Sequence, residues 1–402
     1  MKPKADLSGK TILQVIPELD AGGAERTTLE VAAAIIDAGG RALVASRGGR
    51  LADDIRAAGG VVLQTPVHSK NPLIMAANVR RLVGIIREEM VDLIHARSRA
   101  PAWSAFFAAR RATIPFVTTY HGAYKSAGPL KRYYNSSMTR ADRVIANSEF
   151  TAASIRAGGN VAKDRLVVIP RGADIDRFNP AVVDRPRVEA LRTAWRLEGT
   201  EAAPVIVLPA RLTDWKGQSV AIEAFAAFVK TAPSAKNAAL ILVGDDQGRS
   251  DYRDRLEREI AAYGLSDQVR LVGHVSDMPA VFALADLVLS PAIRPEAFGR
   301  VAAEAGAMAR IVIAADHGGA RETVLDGQTG FLTPPGEASA LAIGITKALN
   351  MRHEQRLVMG EAAREHIAAH YSISSMTAAT LGVYASLMAG AGLGSSSVSA
   401  TH

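Results

Sequence analysis

The sequence predicts an α/β protein of two doubly wound domains, each built on a parallel sheet. Short apolar runs of strand character alternate with helical patterns in both halves of the chain, and this alternation is typical of βαβ units. A length of 402 residues suits two ordinary domains. An irregular, proline-bearing stretch from Pro170 to about Pro204 separates the two series, and we place the linker there.

In the first half, a helical pattern covers Ala24–Ala38 and is closed by Gly39-Gly40, which are typical helix C-terminal residues. A second helical pattern covers Pro72–Glu89. The strand-like runs between the helices are Thr11–Pro17, Arg41–Ser46, Val61–Thr65, Asp92–His95, Pro115–Tyr120 and Arg143–Asn147.

The second half repeats the alternation, so we expect domains at 1–180 and 181–371, facing each other across a cleft. Its strand-like runs are Val205–Leu208, Ala239–Val243, Val269–Val272, Leu287–Ser290 and Ile311–Ala314. The last residues, 391–402, are rich in Gly and Ser, and we expect a disordered tail.

Composition excludes several classes of protein. The chain has no cysteine, which excludes disulfides, cysteine–metal sites and thiol catalysis. No apolar run approaches the roughly 20 residues of a membrane span, and Thr11–Ile16 is too short for the core of a signal peptide. Asp174 and Asp176 resemble a metal-binding pair, but no further ligand supports them, and we interpret them as turn residues. We therefore expect a cytoplasmic protein without a metal.

Positive charge is concentrated in the first half. Residues 1–180 hold 26 Lys and Arg against 16 Asp and Glu, a balance of +10, whereas residues 181–402 hold 21 against 24, a balance of −3. Nucleic acid is disfavoured as a partner because no aromatic residues are interleaved with the basic ones. An anionic membrane surface fits better, with Lys125–Arg143 as a candidate basic amphipathic segment. A merely solvated basic surface remains an equal alternative.

The most informative motif is the segment from Glu296 to Glu304, with Phe298, Gly299 and Arg300 between the two acids. It follows a strand-like run and opens a helical run, which puts Glu296 in a loop and Glu304 about two turns into a helix. The helix start between them offers free N–H groups to an anion. Such a site suits a ligand with a central phosphate and hydroxyls at both ends, as in a nucleotide-sugar.

Other candidate residues follow strand-like runs, where ligands of doubly wound sheets bind. Arg211 and Lys216 are two cations that could hold a diphosphate, or could be solvated surface charges. His121 could donate to a sugar hydroxyl or phosphate, or could be a structural histidine. Gly22 and Gly23 open the first helix and allow close approach of a phosphate, but an ordinary tight turn would use the same residues.

Taken together and in this order, the segments resemble the large family 4 of retaining glycosyltransferases, which includes bacterial lipopolysaccharide-core and phosphatidylinositol mannosyltransferases. The matching motifs are Pro295-Glu296-Ala297-Phe298-Gly299-x4-Glu304, Ala210-Arg211-Leu212-x3-Lys216-Gly217, Val243-Gly244-Asp245, Gly273-His274-Val275 and Asp326-Gly327-x-Thr329-Gly330-Phe331. The resemblance implies the GT-B fold of two Rossmann-like domains, with a C-terminal helix at about 372–390 returning to the first. It also implies that the first domain binds the acceptor and the second the donor.

The resemblance assigns roles to the candidate residues. Glu296 would hold donor-sugar hydroxyls, Glu304 the ribose, and Val275 would contact the base through its backbone. Phe298, Gly299 and Arg300 would offer amides, and Arg211 and Lys216 charge, to the diphosphate. Gly22 and Gly23 would close over the phosphates, and His121 would lie beside the reacting sugar. Arg171 departs from the Asn of many members.

We therefore expect a retaining, metal-independent hexosyltransferase that moves a sugar from a nucleotide-diphospho-sugar to a hydroxyl acceptor. A lipid-linked or lipopolysaccharide-core saccharide at the inner membrane face is the expected acceptor, with no cofactor beyond the donor. The alternatives are a nucleotide-sugar epimerase, a sugar phosphorylase or a non-catalytic nucleotide-sugar binding protein.

Overall fold

The structure, a computed structural model, describes residues 5–20, 22–122, 128–158, 161–197, 203–231, 235, 237–248 and 250–394. The chain forms two compact units. The first contains the residues up to Arg171 and those from Ile373 onward, and the second is Gly172–Ser372. The boundary between the two units therefore falls after residue 171, earlier than the domain boundary expected at 180. Phe178 belongs to the second unit, where its ring lies 5.9 Å from that of Phe282.

The first unit contains a parallel sheet, seven-stranded in the described residues, of order β3-β2-β1-β4-β5-β6-β7. Its strands are β1 (Thr11–Val15), β2 (Arg41–Ser46), β3 (Val61–Gln64), β4 (Leu93–Ala96), β5 (Phe116–Tyr120), β6 (Arg143–Ala146) and β7 (Leu166–Val168). The helices between them are α1 (Gly23–Asp37), α2 (Ala52–Ala57), α3 (Pro72–Glu88), α4 (Arg99–Ala112), α5 (Pro129–Asn135) and α6 (Glu149–Ala157).

Both faces of this sheet are covered, which explains why its strands are almost continuously apolar. Along β1, Leu13 and Val15 enter a buried cluster that also contains residues of α3 and α4. Ile12 enters the cluster on the other side, which contains Val31 of α1. Alternate residues of one strand thus serve two separate cores.

The second unit contains a parallel sheet, six-stranded in the described residues, of order β10-β9-β8-β11-β12-β13. Its strands are β8 (Val205–Pro209), β9 (Ala239–Val243), β10 (Val269–Gly273), β11 (Leu287–Ser290), β12 (Val312–Ala315) and β13 (Gly330–Thr333). Its helices are α7 (Arg185–Ala194), α8 (Gln218–Thr231), α9 (Ser250–Ala262), α10 (Met278–Leu284), α11 (Arg300–Ala307), α12 (Ala320–Thr323), α13 (Ala338–Leu349) and α14 (His353–His370). The two doubly wound parallel sheets confirm the predicted fold class.

The last helix, α15 (Ile373–Gly394), belongs to the first unit. It packs against α1, and its Met376, Leu381 and Tyr384 are buried in the cluster that α1 shares with β1. The helix continues to Gly394, so residues 391–394 are not part of the expected tail, and residues 395–402 lie outside the described ones. None of the helices, within the described ranges, combines the length and the apolar character that crossing a bilayer requires.

Tyr384 joins α15 to a buried polar network in the first unit. Its hydroxyl lies 2.5 Å from Nδ1 of His95, whose Nε2 lies 2.8 Å from Thr119 Oγ1. Next to them the buried Arg97 donates to Gln14 Oε1 from Nε at 2.9 Å. Burial raises the pKa of Tyr384 to about 12, so its hydroxyl keeps its proton.

Replacing Tyr384 by Phe should destabilise the first unit by about 1–3 kcal/mol, because His95 would lose a buried hydrogen-bond partner. Hydrogen exchange of the β4 and α15 amides measures this as faster opening. Tyr133→Phe is the matched control, since Tyr133 is 63% exposed. Equal protection in both variants would mean that the bond to His95 contributes nothing.

Candidate functional site

The candidate site of the second unit lies at the carboxyl ends of β8 and β11. These neighbouring strands mark the point where the strand order reverses, and ligands of doubly wound sheets bind at such points. Lys216 comes from the loop after β8 and Glu296 from the loop after β11, and their side chains form an ion pair. They are only 15% and 17% exposed, so solvent screens the pair less than it would at the surface.

Gly217 fixes the position of Lys216. The residue has φ +82°, and a Cβ there would lie 2.1 Å from the carbonyl oxygen of Pro291, in the loop after β11. Only glycine allows this close approach. The ammonium of Lys216 also lies 4.6 Å from the centre of the Trp215 ring, a cation–π contact.

Arg211, the second predicted cation, lies in the same loop but has a different partner. Its Nη1 donates to Gln247 Oε1 at 3.3 Å. Its carbonyl accepts from Nε2 of the fully buried Gln218 at 2.9 Å, and Gln218 in turn accepts from the Tyr252 hydroxyl at 3.1 Å. Hydrogen bonds thus hold both the backbone and the guanidinium of Arg211, and the partner of the guanidinium is Gln247 and not Glu296.

The loop carrying Glu296 is packed against a glycine pair. The amide of Gly319 donates to the Glu296 carbonyl at 2.9 Å. A Cβ on Gly318 would lie 2.5 Å from that carbonyl oxygen, and one on Gly319 would lie 2.5 Å from the Cα of Phe298. These two glycines therefore set the path of the backbone from Glu296 to Phe298.

Gly299, with φ +78°, precedes α11, which begins at Arg300. Glu304 is therefore about one turn into the helix, not two as expected. Its carboxylate accepts from Arg300 Nε at 2.8 Å and is 12% exposed.

Phe298 is buried against Tyr371, so its side chain is structural, and only its backbone is open to a role in binding. Val275 follows β10 and is half-buried against the core.

In the first unit, the predicted residues also lie at carboxyl ends of strands. His121 directly follows β5, and Gly22 precedes the first residue of α1, Gly23. Arg171 contacts both of these places: its Nη2 donates to His121 Nδ1 at 3.0 Å, and its Nη1 lies 2.5 Å from where a Cβ on Gly23 would be. Arg171, which departs from the family pattern, thus contacts both His121 and the glycine pair that precedes and begins α1.

Neither unit, in its described part, brings three His, Cys, Asp or Glu side chains together as a metal would require. The absence of a metal from the reaction stays a prediction.

Sequence reasoning missed three residues that support the site: Gln218, Gly318 and Gly319. A glycine pair in the loop after a strand was a usable signal, because the same pattern singled out Gly22-Gly23. Gln218 gave no signal, since a buried glutamine has the same sequence context as an exposed one.

Two family models match the chain. The model described as "Glycosyltransferase Family 4" covers residues 21–177, and "Glycosyl transferases group 1" covers residues 193–366. The first match lies mostly in the first unit and the second lies within the second unit. The matches therefore follow the division of the structure.

Solved structures and curated proteins agree with these models. A glycosyltransferase from Rickettsia africae is 33% identical, with a TM-score of 0.88 over 94% of this chain and 98% of its own. Anabaena Alr3699/HepE, solved with UDP-glucose, is 26% identical, with a TM-score of 0.79 over 94% and 100%. The D-inositol 3-phosphate glycosyltransferase of Salinispora arenicola is 29% identical over 77% of this chain and 73% of its own. With two doubly wound units, both family models and a relative matched over nearly its full length, the chain belongs to the family 4 glycosyltransferases of GT-B fold.

Proposed function

We propose that this glycosyltransferase moves a hexose from a nucleotide-diphospho-sugar to a hydroxyl acceptor, with retention of configuration and without a metal ion. The observation that carries the proposal is the poorly exposed ion pair between Lys216 and Glu296 at the reversal point of the second sheet. The Anabaena relative was solved with UDP-glucose, so a UDP-hexose is the first donor to test.

The ion pair matches two adjoining parts of such a donor, the diphosphate and the sugar. A phosphate of the donor would replace the Glu296 carboxylate as the partner of the Lys216 ammonium. Sugar hydroxyls would then donate to the Glu296 carboxylate. Neither charge would be left buried without a partner, which keeps the cost of separating the pair low. Glu304, which accepts from Arg300, is proposed to take the ribose hydroxyls in the same way.

The chemical demand is to stabilise negative charge on the departing diphosphate. Lys216 is one fixed cation, and Arg211 becomes the second if its guanidinium turns from Gln247 toward the phosphates. The amides of Gly299 and Arg300, at the start of α11, add further donors. The acceptor hydroxyl attacks from the leaving-group side, and a phosphate oxygen takes its proton, so no protein nucleophile is required.

For the acceptor, we propose a lipid-linked saccharide reached at the inner face of the cytoplasmic membrane. The support is a surface of the first unit that we call the α4–α5 patch: Phe107, Leu130, Lys131, Arg132 and Tyr133. Leu130 is 85% and Tyr133 63% exposed, and Lys131 and Arg132 are exposed as well. Exposed apolar side chains beside cations fit an anionic lipid surface.

The patch is held in place by ring stacking. The Tyr133 ring is 5.1 Å from Trp103, and the Phe107 ring is 5.7 Å from it, both in stacked geometry. Arg140 lies over the Trp103 ring at 5.3 Å. Lys125, which the sequence included in this basic segment, lies outside the described residues.

Removing both cations tests the donor site. Arg211→Ala with Lys216→Ala should lower donor turnover by about 10²–10³-fold for each lost donor and should abolish the thermal stabilisation that UDP-glucose gives the unaltered protein. Lys230→Ala, an exposed lysine on α8 of the same unit, is the control. Near-normal turnover in the double variant would refute the assignment, and binding without any turnover in the unaltered protein would indicate a non-catalytic binder.

Chelation tests the metal-free mechanism. Excess EDTA should leave the rate of donor turnover unchanged, because Lys216, Arg211 and the start of α11 supply the positive charge. The rate is measured before and after chelation, with Mg²⁺ or Mn²⁺ added back. Loss of activity that only a divalent ion restores would overturn this part of the proposal.

Vesicle sedimentation tests the membrane contact. Vesicles with anionic lipid should bind the protein at low salt and release it near 1 M salt, where the Debye length is about 3 Å. Lys131→Glu with Arg132→Glu should weaken binding, whereas Arg253→Glu with Arg258→Glu, a charge-matched change on α9 of the second unit, should not. Binding that is indifferent to salt, or equal in both variants, would remove the α4–α5 patch from the proposal.

A further inference from the structure

Arg171 ends the N-terminal segment of the first unit and follows β7, an edge strand of its sheet. Its guanidinium contacts two predicted binding elements at once. Nη2 lies 3.0 Å from His121 Nδ1, and Nη1 occupies the space beside Gly23 in which a Cβ would lie 2.5 Å away. No role for Arg171 follows from the proposed function itself.

The contact with His121 determines where the imidazole proton lies. A guanidinium has donors only, so Nδ1 of His121 must accept. A neutral imidazole has one acceptor and one donor nitrogen, and the proton is therefore on Nε2. Nε2 is buried, and it has no hydrogen-bond partner within the described ranges of the chain.

The surroundings of His121 also keep it uncharged. Burial, then the neighbouring Arg171 and Arg97, hold the pKa of His121 well below its ordinary value. His95, a second histidine nearby, has its own pKa held low by burial, by Arg97 and by His121, and its ring is bonded to Tyr384. As the pH falls through about 6.5, both histidines therefore resist protonation in the folded protein.

We propose that Arg171 is a positioning residue that locks His121 as the neutral tautomer with its proton on Nε2. His121 then acts as a hydrogen-bond donor to an oxygen of the bound sugar or phosphate, and it is not a proton acceptor. The last step rests on the proposed function, since it requires a ligand at His121. The tautomer itself does not, and the two are tested separately.

The contact with Gly23 makes the position of the Arg171 guanidinium, and with it the hydrogen bond to His121, depend on a glycine. A Cβ at residue 23 would meet the end of the Arg171 side chain and not a rigid backbone, so the guanidinium must move. Gly23→Ala should consequently break the hydrogen bond from Arg171 to His121, as removal of the guanidinium does. This links the first residue of α1 to the protonation state of a histidine that follows β5.

Nitrogen NMR of the whole protein with ¹⁵N-labelled histidine reads the tautomer directly, and the His121→Gln spectrum identifies the His121 signals. In the unaltered protein, His121 should be neutral with its proton on Nε2 and stay so as the pH falls past about 6.5. A proton on Nδ1, or ordinary titration, would overturn the proposal without bearing on glycosyl transfer.

Variants test the cause. Arg171→Met and Gly23→Ala should each give a mixture of tautomers and raise the pKa of His121 toward its ordinary value. Arg171→Lys, which keeps a donor and the charge, should retain the Nε2 proton. Gly84→Ala on α3, where a Cβ meets only Glu88 Oε1 at 3.8 Å, is the control. If Arg171→Met leaves the tautomer unchanged, Arg171 does not position His121.

The dependence on function has its own readout. With UDP-glucose as the probe, Arg171→Met should make donor turnover pH-dependent on the acid side, where the released imidazole gains its second proton, and Arg171→Lys should restore the flat profile. An altered tautomer with an unaltered pH profile would mean that His121 does not meet the ligand, although Arg171 still sets its state.

Discussion

The ion pair between Lys216 and Glu296 is the contact on which the site of the second unit depends. It joins the loops after two neighbouring strands, β8 and β11, whose following chain segments diverge to opposite faces of the sheet. Three glycines make this meeting possible, because Gly217, Gly318 and Gly319 let the loops approach to distances that a Cβ would forbid. Backbone packing therefore holds the two charged side chains in contact, and both are little exposed to solvent.

A different arrangement holds the site of the first unit. There Arg97 and His95 are buried and Arg171 donates to His121, and Gln14 and Tyr384, the side-chain partners of Arg97, are uncharged. Two guanidinium groups near two imidazoles favour the uncharged histidine, because each added proton would raise the local positive charge. The site of the second unit thus rests on an ion pair without net charge, whereas the site of the first unit has more hydrogen-bond donors than acceptors.

The sequence predicted the interior strands well because a strand covered on both faces is a continuous apolar run, as in β1 and β9. It did not predict β7 or β13, which are edge strands of three and four residues: β7 is only half-buried, and β13 begins at a glycine. The candidate residues Lys216, Glu296 and His121 lie in loops after strands as expected. Their pairing was not predictable, because Lys216 and Glu296 are 80 residues apart and only the strand order brings them together.

The place of α15 in the first unit has a consequence for synthesis. The second unit is one continuous stretch, Gly172–Ser372, whereas the first needs residues from both ends of the chain. A ribosome makes Ile373–Gly394 only after the whole second unit, so until then His95 lacks the Tyr384 hydroxyl and α1 lacks its contact with α15. We therefore expect the usual order, in which N-terminal domains fold first, to be reversed: all residues of the second unit are made before α15 completes the first.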